Sequence, residues 1–200
     1  MGPAVTGSAR QHPGASDAAR YVLIPGAGAS RQADIIELIL ADHRRIGRLC
    51  RALYDTARYE GGPRPDWMLG HVWQRLADLL VAHTQAEDET CYLPLFGTGA
   101  QATERMRDPI ADHDEIRGII GKAAVQPVGS ASWWRTVRAV MAVSAEHLEH
   151  EERDVLPDCL PGLSMSRRKE LGRQWCAFMA AWRPDATLTP PRPSSSGPTA

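Results

Sequence analysis

The chain has no excess of either charge: 23 Lys and Arg stand against 24 Asp and Glu. That balance excludes a broadly basic surface of the kind that draws nucleic acid or an anionic membrane, and no basic run is longer than Arg167-Arg168-Lys169. Long apolar runs are also missing; none nears the roughly 20 residues needed to cross a bilayer. The N-terminus lacks a charged stretch followed by an apolar core, so a secretory signal is not expected and the protein reads as soluble and cytoplasmic. Cysteine is sparse. Cys50, Cys91, Cys159 and Cys176 form no C-x-x-C pair, which argues against a thiolate zinc site or a thioredoxin-like redox motif. Cys50 falls on an apolar stripe, where a thiol acts as a small buried hydrophobe. Strand-like alternation is absent as well.

What the chain does have is helical periodicity. A first segment, about 31–59, places Ile36, Leu40, His43, Ile46, Cys50 and Leu53 on one face and ends at Gly61-Gly62-Pro63. A second begins near Asp66, a plausible cap, and its stripe is Leu69, Val72, Leu76, Leu79, His83 and Glu87, closed by Leu93-Pro94. A third, about 103–124, aligns Met106, Ile110, His113, Ile116 and Ile120, which puts Pro109 in the first turn or at a kink. A fourth starts near Ser132 with the stripe Trp133, Val137, Val140, Ser144, His147 and Glu151, closed by Leu156-Pro157. A fifth, about 166–182, aligns Leu171, Trp175, Phe178 and Trp182 and reads as a helix on the outside or end of the others.

These segments predict an all-α fold: an up-down four-helix bundle of two pseudo-repeated hairpins, with a short additional C-terminal helix. The expected division is a disordered leader over 1–30, the bundle over 31–160, the packing helix over 161–183, and a disordered tail over 184–200. The leader is rich in Gly, Ala, Pro and Ser, with one apolar patch at Tyr21–Ile24; the tail is dominated by Pro, Ser and Thr.

The repeat is the most informative feature. Asp42-His43-Arg44-Arg45-Ile46 returns as Asp112-His113-Asp114-Glu115-Ile116. His83-Thr84-Gln85-Ala86-Glu87-Asp88 returns as His147-Leu148-Glu149-His150-Glu151-Glu152, and a Leu-Pro pair follows each copy. Residues four apart on a helix point within about 40° of each other, roughly 6 Å along the axis, so each His and Glu of the second motif can reach one point. Taken singly, a histidine on an apolar stripe is usually a hydrogen-bonded core residue, and a glutamate near a helix end is usually solvated. Jointly, ionised carboxylates on buried faces are costly unless paired or metal-bound. His43, His83, Glu87, His113, His147 and Glu151 are therefore the candidate metal ligands. Imidazole and carboxylate without thiolate suit iron or another first-row metal, and a carboxylate can bridge two ions, so the set fits a dinuclear centre. His71 reads as surface, His12 lies in the leader, and His150 is more often a bystander. Asp88, Glu152, Asp42 and Asp112 read as exposed, with orientation of ligands as their functional alternative.

The order His, H-x-x-x-E, His, H-x-x-x-E over about 34–157 resembles the hemerythrin-like, or HHE cation-binding, domain. The resemblance implies two carboxylate-bridged, non-haem iron ions: one at His43 and His83, the other at His113 and His147, with Glu87 and Glu151 bridging. It also implies small inorganic ligands such as oxygen, peroxide or nitric oxide. The chain departs from oxygen-carrying hemerythrins at Arg117, where those have a further histidine, and at Glu151, where they have an Asp one residue later. Fewer histidines leave more open positions. The function classes in play are a ligand binder, an enzyme with weak catalase- or peroxidase-like turnover, an iron or redox sensor without turnover, and a bundle held together by its metal.

Overall fold

A computed structural model describes residues 33–58, 66–92 and 100–184, with only the backbone given for 100–108 and 159–160. Helix α1 spans Ile35–Arg58, α2 Asp66–Glu87, α3 Ala100–Ala124, α4 Ala131–His150 and α5 Met165–Ala181. No strand occurs among the described residues. The expected leader, the Gly61-Gly62-Pro63 and Leu93-Pro94 breaks, the Met106 side chain and residues 185–200 lie outside the described set. No described helix is long and apolar enough to cross a membrane.

The four long helices pair as hairpins, α1 with α2 and α3 with α4, and α2 meets α3 between them. Helix α5 lies across α1 and α2, and this corrects the expected α1 stripe. Ile35, Leu38, Ile39, Asp42, His43, Ile46 and Leu53 are the buried residues, while Ile36, Leu40 and Cys50 are only half-buried. The extra cover from α5 rotates the buried face by about one residue. In α2 the effect is larger. From Leu76 to Glu87 every residue except Gln85 is buried, because α1, α3 and α5 all touch this helix. Helix α4 buries the stripe expected of it, Trp133, Val137, Val140, Ser144 and His147, and Glu151 follows in the next turn.

Local chemistry sets the ends. The cap of α4 is Ser130 rather than Ser132: Ser130 Oγ accepts from the Trp133 N–H at 3.1 Å, satisfying a donor that the first turn leaves open. Gly129 before it has φ 81°, a left-handed turn that favours glycine. Pro109 is the tenth residue of α3, not a first-turn residue, so the helix interior accommodates its missing donor. Leu156-Pro157 does not close α4 either. The chain passes through a π-helical turn, Glu151–Val155, then one α turn, Leu156–Cys159, and a 3₁₀ turn, Leu160–Gly162. The wide π turn carries the Leu156 N–H to the Glu151 carbonyl; the proline follows where the ladder changes spacing.

Helix α5 is capped by Ser164, whose Oγ accepts from the Arg167 N–H. It is seated by an ion pair between Arg168 and Asp34. Gly172 permits its close approach to α1, since a Cβ there would meet the Ala33 carbonyl oxygen at 2.0 Å. Leu171, Trp175, Met179 and Trp182 are buried. Phe178, expected among them, is half-buried.

Candidate metal centre

Each of the four bundle helices brings one histidine to the same level of the core. His83 and His113 are fully buried, His43 and His147 nearly so, and Glu87 and Glu151 lie between them. Two groups of ligand atoms form, each within 4.8 Å of one another: His43, His83, Glu87 and Glu151, and then Glu87, His113 and His147. All six candidate residues are thus brought together, and Glu87 belongs to both groups. Its Oε1 is 3.2 Å from His83 Nε2 and its Oε2 3.2 Å from His113 Nε2. Glu151 Oε2 is 3.2 Å from His43 Nε2. His113 Nε2 and His147 Nε2 face each other at 3.0 Å.

The inward atoms lack ordinary partners. Nε2 of His43 and of His83, both oxygens of Glu87 and Oε2 of Glu151 are buried without a hydrogen bond. Leaving several buried polar atoms unsatisfied costs about 1–3 kcal/mol each, so a core does not tolerate such a cluster unless something else satisfies it. A divalent cation does so, and nitrogen with carboxylate oxygen is a donor set for first-row metals.

Outward-facing nitrogens are held by carboxylates from neighbouring helices. His113 Nδ1–H donates to Asp88 Oδ1 at 2.7 Å, and His43 Nδ1–H donates to Glu152 Oε1 at 2.8 Å. His147 Nδ1–H reaches Asp112 Oδ2 at 3.4 Å. Such bonds fix the tautomer that turns Nε2 inward. Glu152 and Asp112 are half exposed and a third exposed in their side chains, as expected, yet each also orients an imidazole. Asp42 does not; it pairs with Arg45 at 2.8 Å. Arg117 stays out of the ligand set. Its guanidinium donates to Asp88 Oδ2 at 2.9 Å, to Thr84 Oγ1 and to Asp114. It therefore anchors the carboxylate that orients His113.

Electrostatics favour a cation here. Burial, reinforced by the charge of Glu151, pushes Glu87 up to about 8. Burial would raise Glu151 too, but the close approach of His43 and the charge of the surrounding imidazoles hold it well below the usual carboxylate range. Burial opposes a charge on His43 and His113. Glu151 and Glu152 outweigh it at the first, and Asp88 and Glu87 at the second, raising each to about 9. Burial and the neighbouring His43 push His83 down. Two carboxylates facing each other in a dry space thus stay charged only if positive charge sits between them.

Four features escaped the sequence reading. Tyr92 is buried, and its hydroxyl donates to Glu151 Oε1 at 2.6 Å. Trp175, from α5, packs edge-on against the His83 ring at 5.6 Å between centroids. Trp182 Nε1–H, further along, donates to Gln85 at 2.7 Å. A π-helical turn also begins beside each glutamate, at Asp88–Tyr92 and at Glu151–Val155. Tyr92 was visible only as a residue five past Glu87; nothing in periodicity told which glutamate it would meet. His71 is exposed, as expected, and His150 lies at the surface near Asp154 rather than in either ligand group. Cys50 is half-buried, and burial pushes its thiol up to about 11.

The profile of the hemerythrin HHE cation binding domain matches residues 34–159. No curated protein and no solved structure matched the chain.

Proposed function

The chain belongs to the hemerythrin HHE cation-binding family, and from that premise we propose that it is a non-haem di-iron protein binding a small ligand such as oxygen, peroxide or nitric oxide. His43, His83 and Glu151 would hold one ion, His113 and His147 the other, and Glu87 would serve both. The observation that carries this reading is the sharing of Glu87 between two ligand groups, with both of its oxygens and the Nε2 atoms of His43 and His83 buried without a hydrogen-bond partner. Bound iron would supply redox chemistry and coordination positions for a diatomic or peroxidic ligand.

The remaining residues do the work of placing and shielding. Asp88, Glu152 and Asp112 keep their imidazoles turned inward. Trp175 covers the His83 side against water. A polar cleft lined by Asp112, Glu115, Glu146, His147, His150 and Arg153 borders His147 from the surface. Peroxide decomposition is the enzymatic form of this reading, and sensing without turnover is its alternative. Commitment of Asp88, Glu152 and Asp112 to imidazoles favours binding, because those three carboxylates are engaged in holding ligands rather than in moving protons. Iron analysis after gentle purification should find two ions per chain, in line with two ligand groups. Azide should then perturb the visible spectrum of the ferric protein. One tightly held zinc and no iron would defeat the reading. Peroxide loss no faster than with free iron at equal concentration would leave the binding role alone.

A further inference from the structure

The seam between α1 and α2 holds a cavity of about 270 Å³ lined by Arg45, Arg48, Leu49, Ala52, Arg75 and Leu79. It lies past the contacts that α5 makes at Ala33 and His83, toward the α1 C-terminus. Arg45 and Arg48 are three apart on α1 and share a face, and Arg75 stands across the seam on α2. Arg45 Nη1 donates to Asp42 at 2.8 Å. Arg48 and Arg75 form no ion pair among the described residues, and Nε of the half-buried Arg75 is buried without a hydrogen-bond partner. A guanidinium N–H shut away from water and left unpaired is costly, so the cluster calls for an acceptor. The fold itself does not ask for these arginines. In the repeat, Arg45, Arg48 and Arg75 correspond to Glu115, Gly118 and Ala139 of the second hairpin, whose helices pair without them.

We propose that this groove binds a small phosphate monoester, a dianionic head on a short apolar body. None of its residues is a candidate cation ligand. Three guanidiniums less the carboxylate of Asp42 leave two positive charges. A phosphate monoester, with a charge of about −1.5 to −2 at neutral pH, matches them; a carboxylate, with a single charge, matches them less well. Guanidinium forks take phosphate oxygens side-on, through Nε and Nη together, which gives the Arg75 Nε its missing acceptor. Leu79 is buried, and Leu49 and Ala52 are half-buried. The floor is therefore apolar and suits the body of an organic ligand rather than a bare ion. The chain as a whole is near neutral, so the attraction is local to the groove and does not extend along a polyanion.

The test is calorimetric titration of the full chain at low salt with phenyl phosphate, inorganic phosphate and benzoate. Phenyl phosphate should saturate a single site and bind more tightly than the other two. Arg48→Ala, which removes an exposed side chain, and Arg75→Gln should each weaken it at least about tenfold, the scale of a hydrogen bond to a charged group. Arg135→Ala removes an exposed arginine outside the groove and should leave binding unchanged. No binding by wild type, or binding that survives both groove variants, overturns the proposal. An equal loss in Arg135→Ala does so too, since it reports general charge, and benzoate binding as tight as that of phenyl phosphate overturns the dianion assignment. Loss in a folded Glu87→Ala protein, with the groove variants unaffected, would place the anion at the cation centre instead. Tighter binding of a single-stranded oligonucleotide would assign the face to a polyanion and overturn the small-ligand reading. Should Arg75→Gln fail to fold by circular dichroism, the exposed Arg48 decides alone.

Discussion

The hairpin α1–α2 and the hairpin α3–α4 carry the same two motifs, yet they support their histidines by different means. In the second hairpin Asp112 stretches from α3 to His147. Its counterpart Asp42 does not reach His83, because Arg45 claims it at 2.8 Å. Three residues past Asp112 stands Glu115, which cannot compete in that way. His83 is left with an unpartnered Nδ1 and with the Trp175 ring against it. Support for the other two histidines crosses between hairpins, from Asp88 to His113 and from Glu152 to His43. Three of the four histidines are thus held by carboxylates, while His83 packs against an aromatic from outside the repeat. The repeat preserves the six residues that turn into the core as candidate ligands, while their supports come from whatever each half packs against.

The largest expected effect breaks the comparison at its shared member. Glu87→Ala removes a carboxylate from both ligand groups, so it should lose more cation than Glu151→Ala, measured by metal analysis of purified protein. Equal losses would show that the two glutamates are equivalent. Trp175→Ala comes next. Deleting a buried tryptophan should cost about 3–5 kcal/mol in denaturant unfolding, with cation loss chiefly at the His83 position. Retention of both full stability and cation would mean that α5 is an accessory to the bundle.

Asp88→Asn should weaken cation binding by about 10–100-fold, the usual result of removing a group that orients a metal-binding histidine. Asp42→Asn, whose parent pairs with Arg45 instead, should leave affinity near wild type. A competition assay with a chelator compares them, and similar losses would sink the asymmetry drawn here. Ser130→Ala should cost about 1 kcal/mol through the lost cap of α4, lowering the thermal midpoint without changing the cation count. Smallest of all is His71→Ala. This exposed histidine lies outside both ligand groups, and its replacement should shift stability by less than about 0.5 kcal/mol.

Much of the fold was legible in advance, because a 3.6-residue apolar period survives in every long helix. The α4 stripe from Trp133 to His147 is buried as read. In the α1 stripe His43, Ile46 and Leu53 are buried as read, while Ile36, Leu40 and Cys50 are half-buried, since a single-helix pattern does not reveal that α5 covers a second face. Helix ends were read less well. Ser132 was read as the start of α4 where Ser130 is the cap, and Leu156-Pro157 looked like a stop, because neither backbone geometry nor a π turn leaves a mark in composition.

Residue order alone picked out the six candidate ligands: His83 with Glu87 and His147 with Glu151 stand four apart and share a helix face, and His43 and His113 fall on apolar stripes. It also determined the all-α class, through periodicity and the lack of strand alternation. Tertiary structure alone decided how those six are held. Asp88, Glu152 and Asp112 act across helices on histidines far from them in the chain. Tyr92 meets Glu151 at a separation of 59 residues, and Trp175 reaches His83 from a helix outside the repeat. Hydrogen bonds and ring contacts depend on distances of a few ångströms between elements. Local periodicity encodes the face each helix presents; packing of one helix against another sets those distances.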